Sequence, residues 1–202
     1  MGVSKTHPAS AIREAAAAGL KLFGENRVQE YEAKRGDLPE GIEVHLIGHL
    51  QSNKAIKAAG IFSAIDTVDS LLLLERLNEA AMKSGRVLPL LLELKLSEEA
   101  AKTGFDPESN ELQHALERAA DLQNVRVQGL MTIAPLDENP GTARDCFRRL
   151  RTLRDELARR YPAIELGELS MGMSGDFEIA IEEGSTLVRI GTALFGAREG
   201  RR

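Results

Sequence analysis

Short apolar runs alternate with amphipathic stretches along the whole chain, and glycine, proline or a hydroxyl residue marks most of the changes. Residues 2–5 read as the tail of a strand, and 21–24, 43–47, 64–68, 90–96, 126–133, 166–171 and 187–190 read as seven more. They are apolar runs rather than strict alternations, as parallel strands buried on both faces require. Between them the apolar spacing turns helical. Helices are predicted over 9–18, after Pro8 and before Gly19, over 27–35 behind an Asn26 cap, and over 52–59. Others follow over 71–83 behind Ser70, over 107–122 from Pro107, and over 142–160. Ser174 is the expected cap of a helix over 177–183, with Asp176 in its first turn and Gly184 at its close. Gly191 and Thr192 open the last helix at Ala193.

Eight strand-then-helix units, with no linker or composition shift between them, predict one domain over 1–202, a single (β/α)8 barrel of the TIM type. A doubly wound open sheet is the alternative, but no G-x-G-x-x-G follows a strand. The 202 residues suffice for one sizeable core and are short for a closed eight-stranded barrel. Composition acts mainly by exclusion. The chain carries 26 Lys and Arg against 31 Asp and Glu, a net charge of −5, so no global basic field favours nucleic acid. Arg198, Arg201 and Arg202 read as a solvated basic end. No apolar run approaches the length of a membrane span, and the start shows no secretory leader pattern. The single Cys146 allows no internal disulfide and fits a reducing cytoplasm. One Cys and four scattered His argue against zinc, and no metal site is expected. His45 and His49 stand four apart across a strand-to-loop passage, where they share no helical face.

Barrels of this type assemble their sites at the C-terminal ends of the strands. There the sequence places Lys5, the Gly24-Glu25-Asn26 turn, His45 to His49, and Asp66 with Asp69. Glu93 and Lys95, Met131 and Thr132, Ser170 to Ser174, and Arg189 to Thr192 complete the set. The last two units share one design, a strand, then glycine and hydroxyl residues, then a helix start. One such turn usually does no more than cap its helix. Two in succession after the final strands present free N–H groups side by side, which makes a phosphate seat. A lysine at a strand end facing that seat can form a Schiff base with an aldehyde. Pyridoxal 5′-phosphate is an aldehyde that carries a phosphate. Taken alone, Lys5 reads first as an exposed lysine near a terminus. Arg189 is either a barrel-interior ion-pair residue or the group facing a pyridine nitrogen, to which an arginine cannot give a proton.

Seven stretches carry a resemblance. They are Val3-Ser-Lys-Thr-His-Pro8, Phe23-Gly-Glu-Asn-Arg-Val-Gln-Glu30, His45-Leu-Ile-Gly-His-Leu-Gln-Ser-Asn-Lys54, Ile65-Asp-Thr-Val-Asp69, Gly129-Leu-Met-Thr-Ile133, Leu169-Ser-Met-Gly-Met-Ser174 and Val188-Arg-Ile-Gly-Thr-Ala-Leu-Phe-Gly196. Together they resemble the pyridoxal-phosphate homeostasis protein family, which looks like the barrel domain of alanine racemase standing alone, usually as a monomer. The resemblance implies that pyridoxal 5′-phosphate is the cofactor and that Lys5 is its Schiff-base lysine. It implies that Arg189 faces the pyridine nitrogen, that Ser174, Gly191 and Thr192 hold the phosphate, and that Asn26 and Met171 line the pocket. Members usually carry an N-terminal helix and a full first strand before the lysine. Only Met1-Gly-Val-Ser precedes Lys5, so the first strand and the helix before it are expected to be truncated. Lys95 stands where many members have asparagine, in the stretch over 94–104, and is either harmless or a competitor for the aldehyde.

By that resemblance the protein is a cytoplasmic carrier that keeps free pyridoxal phosphate low, with cofactor-dependent apo-enzymes as further partners and no catalytic residue. The alternative is a small amino-acid racemase, which needs an acid/base on each face of the substrate. Alanine racemase takes its second from a tyrosine in another domain. The tyrosines here, Tyr31 and Tyr161, fall in or beside outer helices. A sugar-phosphate aldolase would place its lysine on a central strand, where Lys95 is the candidate.

Overall fold

The computed structural model describes residues 1–96, 103–137 and 139–196. The basic end at Arg198, Arg201 and Arg202, and residues 97–102 of the stretch around Lys95, lie outside the described residues. The strands are β1 (Gly2–Val3), β2 (Leu22–Glu25), β3 (Glu43–Leu46), β4 (Ala64–Val68), β5 (Leu88–Glu93), β6 (Val125–Met131), β7 (Glu168–Met173) and β8 (Leu187–Arg189). All neighbouring pairs are parallel, and the strands stand in sequence order around one sheet. A parallel bridge between Gly2 and Ile190 joins the last strand to the first. Sequential order with this closing bridge is the (β/α)8 barrel, and it excludes the doubly wound sheet, whose order reverses at a switch point. β1 is two residues long.

The helices are α1 (Ala9–Ala17), α2 (Val28–Lys34), α3 (Ala55–Ile61), α4 (Leu71–Lys83), α5 (Asn110–Asp121), α6 (Pro140–Arg160), α7 (Phe177–Glu182) and α8 (Thr192–Phe195). Among the described residues no helix is long and apolar enough to cross a membrane. Strand residues such as Phe23, Leu46, Ile65, Leu90 and Leu92 share one buried cluster with Ile12, Leu73, Leu77, Leu116, Phe147 and Leu150 of the helices. Burying an aliphatic side chain of this size stabilises the fold by about 1.5–3 kcal/mol, so the wall of the barrel is the main source of stability.

Several boundaries differ from expectation for identifiable reasons. β5 ends at Glu93 because the chain turns away to pair Leu94 with Phe105, although Leu94 and Leu96 keep the run apolar and buried. The helix expected from Pro107 begins at Asn110, since Ser109 is the residue whose hydroxyl accepts the Leu112 N–H, at 3.2 Å. α6 begins earlier than expected, at Pro140, where Asn139 caps it and proline fits the first turn. Ser70 caps α4 as expected. Asn26 and Ser174 do not cap the helices expected of them. α2 is flanked by Arg27 and α7 by Asp176, neither with a side-chain cap bond.

Candidate functional site

Lys5 lies in the turn that leaves β1, partly exposed. The turn is held from α2. The Lys34 ammonium donates to the Ser4 and His7 carbonyls at 3.1 Å each, and meets the Glu25 carboxylate at 2.7 Å and that of Glu30 at 3.3 Å. Ser4 Oγ donates to Glu25, and Glu30 accepts the Thr6 N–H. Thr6 has φ +69°, a left-handed conformation unusual for a β-branched residue, so these bonds hold the chain where it would not rest by itself. Glu25 is fully buried, and burial pushes its carboxyl above the usual range against the pull of Lys34 and Ser4. The Lys34–Glu25 pair was not singled out from the sequence. A lysine on a short helix reads as a solvated charge, and only the fold brings it back across the first turn.

Across the seam stand the residues expected to hold an anion. Ser174 Oγ accepts the N–H groups of Gly191 and Ala193, at 3.3 Å each. Its hydroxyl therefore caps α8, the helix after the one expected, and ties the β7 loop to the β8 loop. Thr192 is the first residue of α8. A Cβ on Gly191 would meet Val3 of β1 at 3.5 Å, and the rings of His7 and Phe195 lie 5.1 Å apart. The structure thus sets the turn that carries Lys5 beside the segment of Gly191 and Thr192, to which Ser174 is bonded.

Arg189, 4% exposed, ends β8. Its guanidinium donates to Ser170 Oγ and to the Thr132 carbonyl, both at 2.8 Å. Burial lowers its pKa, and the charges of Asp66, Asp176 and Glu93 oppose that shift. Asn26 follows β2, with its Oδ1 buried and without a hydrogen-bond partner. A Cβ on Gly48 would meet the Asn26 carbonyl oxygen at 2.3 Å, so glycine there is what lets the loop lie so close. Met171 is fully buried within the main hydrophobic cluster, next in the chain to Ser170, whose hydroxyl accepts from Arg189.

Other strand-end candidates are placed differently. His45 and Asp66 are paired, Nδ1 to Oδ1 at 3.0 Å, at the N-terminal end of the barrel. There they line a cavity of about 170 Å³ with Leu22, Ala64, Glu168 and Leu187, the first residues of their strands. His49 and Asp69 pair at 2.9 Å on the site's own face. Lys95 lies beyond the end of β5 with an exposed side chain, its N–H donating to the Phe105 carbonyl. Tyr31 stacks on Phe62 at 4.7 Å, and Tyr161 terminates α6. Among the described residues no three His, Cys, Asp or Glu side chains converge to hold a metal ion.

The arrangement has the parts of a site for a phosphorylated aldehyde. It offers a clamped lysine, two N–H groups and a hydroxyl across a seam, a buried arginine, and a buried amide oxygen awaiting a donor. Residues 1–199 match the alanine racemase N-terminal domain family. A pyridoxal phosphate homeostasis protein from Aquifex aeolicus is 47% identical over 200 residues, covering 98% of this chain and 86% of its own length. One of the same name from Pseudomonas aeruginosa is 43% identical over 200 residues, with 98% and 84% covered. The solved structure of PipY from Synechococcus elongatus with PLP bound is similar at a TM-score of 0.91 and 47% identity, covering 97% of this chain and 91% of PipY. The chain belongs to the pyridoxal phosphate homeostasis protein family, within the alanine racemase N-terminal domain class.

Proposed function

We propose that this protein binds pyridoxal 5′-phosphate and serves its homeostasis, holding the cofactor rather than running a robust reaction on it. One observation carries this reading. The Lys5 turn, clamped by Lys34, lies beside the Ser174–Gly191–Ala193 cluster where β8 meets β1. The pyridoxal phosphate homeostasis proteins among its relatives, and PipY with PLP bound, support the same reading.

When bound, the cofactor supplies an aldehyde that condenses with a primary amine. Lys5 is the covalent attachment point, and Lys34, Glu30 and Glu25 fix the backbone on either side of it. Ser174 with the N–H groups of Gly191, Thr192 and Ala193 receives the phosphate. Arg189, fixed by Ser170 and Thr132, offers N–H donors to the ring nitrogen and keeps its own proton. An arginine there would leave the ring nitrogen unprotonated, where a carboxylate partner would keep its proton in place. Asn26, with its buried and unpartnered amide oxygen, and Met171 would line the pocket.

A racemase would need a second acid/base facing Lys5. Tyr31 and Tyr161 are engaged in the helical layer, which favours the carrier. The chain is a cytoplasmic monomer in this reading, delivering cofactor to apo-enzymes. The buried free Cys146 supports the reducing compartment, and the family resemblance supports the rest. Adding pyridoxal phosphate should produce a visible absorption band that Lys5→Ala abolishes, with no racemisation of L-alanine above background. A band that survives in Lys5→Ala, or turnover of L-alanine that depends on Lys5, would overturn the reading. Light scattering should report one species near 22.0 kDa.

A further inference from the structure

The mouth of the barrel has a second, acidic side that the cofactor reading does not use. Glu93 ends β5 and is 3% exposed. Its Oε1 accepts the Thr103 hydroxyl at 3.1 Å, while its Oε2 has no hydrogen-bond partner. Groups from three other parts of the barrel act on this carboxyl, namely Asp69 after β4, His49 after β3, and Arg189 at the end of β8. A β5 side chain reaches all three only by turning into the barrel. Burial pushes the Glu93 carboxyl up and the Asp69 charge adds to it, while Thr103, His49 and Arg189 hold it down. Asp69 itself is mostly buried and paired with His49 at 2.9 Å.

Charge is unevenly shared here. On this face the charges of Asp176 and Glu93 act on Arg189 and that of Asp69 acts on Glu93, so carboxylates outnumber the guanidinium. A buried carboxylate oxygen without a partner wants a donor, and one beside other carboxylates wants a positive one. A metal ion does not fit, since no three ligating side chains converge among the described residues. A primary ammonium does, because it is compact, charged, and brings three N–H donors for Glu93 Oε2 and its neighbours.

We propose that Glu93 and Asp69 form a receiving site for the primary ammonium group of a small amine, on the β4–β5 side of the mouth, facing the anion-holding β7–β8 side. The pocket then has two poles, one for a phosphate and one for an amine. The use of this site to draw cofactor away from Lys5 rests on the function proposed above; the ammonium site itself does not.

The full chain without cofactor is titrated with n-butylammonium chloride, and backbone amide shifts are followed by NMR. Saturable shifts at Asp69, Glu93 and Thr103 are expected in the parent, with binding weakened about tenfold or more in Glu93→Gln and less in Asp69→Asn. n-Butanol, with the same carbon chain and no charge, should produce none. No saturable shift in the parent, or equal binding in Glu93→Gln, overturns the site. In a second arm the chain is loaded with pyridoxal phosphate, and its release is timed with and without the amine. The amine-dependent rate should fall about tenfold in Glu93→Gln while the amine-free rate is unchanged. Equal amine-dependent rates refute the release role. Failure of the parent to take up pyridoxal phosphate refutes the function above, and the titration still decides the ammonium site.

Discussion

From β4 to β6 the barrel wall runs in strands of five, six and seven residues, whereas β8 and β1 close it with three and two. β5 and β6 pair over six positions. The seam between β8 and β1 has one bridge, with Val3 N–H to the Ile190 carbonyl at 2.8 Å and Ile190 N–H to the Met1 carbonyl at 3.0 Å. The wall is held by apolar packing, and the seam by a polar clamp on one side and a hydroxyl cap on the other. Lys5, Ser174, Arg189, Gly191 and Thr192 of the candidate cofactor residues lie on the strands and loops of that seam. A group joining Lys5 to the α8 loop would tie β1 to β8 across that seam.

The largest effects should separate clamp from wall. Lys34→Met leaves Glu25 as a buried unpaired charge and should cost about 3–5 kcal/mol in urea unfolding. It should also slow covalent capture of pyridoxal phosphate, because the Lys5 turn loses its support. Leu92→Ala, at a fully buried position of β5, should cost about 2–5 kcal/mol and leave capture by the folded fraction intact. Equal loss of capture in both variants would break the comparison.

Ligand addition sharpens it. Pyridoxal phosphate at about one hundred times its Kd should stabilise the chain by about 2.7 kcal/mol. Hydrogen exchange should slow in β1, β8 and α8 more than in β5 and β6; uniform slowing would contradict a ligand-completed seam. A smaller change tests the wall alone. Ser70→Ala removes the α4 cap and should cost about 1 kcal/mol with cofactor uptake unchanged.

The pH dependence follows from the two raised carboxyls. Glu25 and Glu93 titrate above 4.5 in the folded chain, so the folded state holds protons that the unfolded state has released. Stability from these groups is therefore full below pH 4.5 and falls as pH rises through their raised values. Glu93→Gln should lose less stability than the parent over that interval. A parallel decline in both would show that the Glu93 carboxyl is not raised.

Much of the fold was legible because each apolar run ends at a residue with a local job, as Ser70 does for α4 and Gly184, with φ +91°, does after α7. The end of β5 was hidden because Leu94 and Leu96 stay apolar after the strand has stopped. The site divides likewise. Lys5 was visible through its motif and Arg189 through its place on the last strand. Ser174 was visible as a hydroxyl at a helix start, yet its partners lie 17 and 19 residues onward, in the next unit. Lys34 acts across 30 residues, and no local pattern marks it as the support of Lys5. His45 and Asp66 were expected at the site and lie at the other end of the barrel, because a strand of four or five residues puts a mid-strand side chain within reach of either face.

The most direct test of the account is to fix bound pyridoxal phosphate with borohydride and locate the tag by peptide mass spectrometry. A tag on Lys5, reduced in Lys34→Met and absent in Lys5→Ala, is the predicted result. A tag on Lys95, or no tag on a chain that takes up the cofactor, would contradict it.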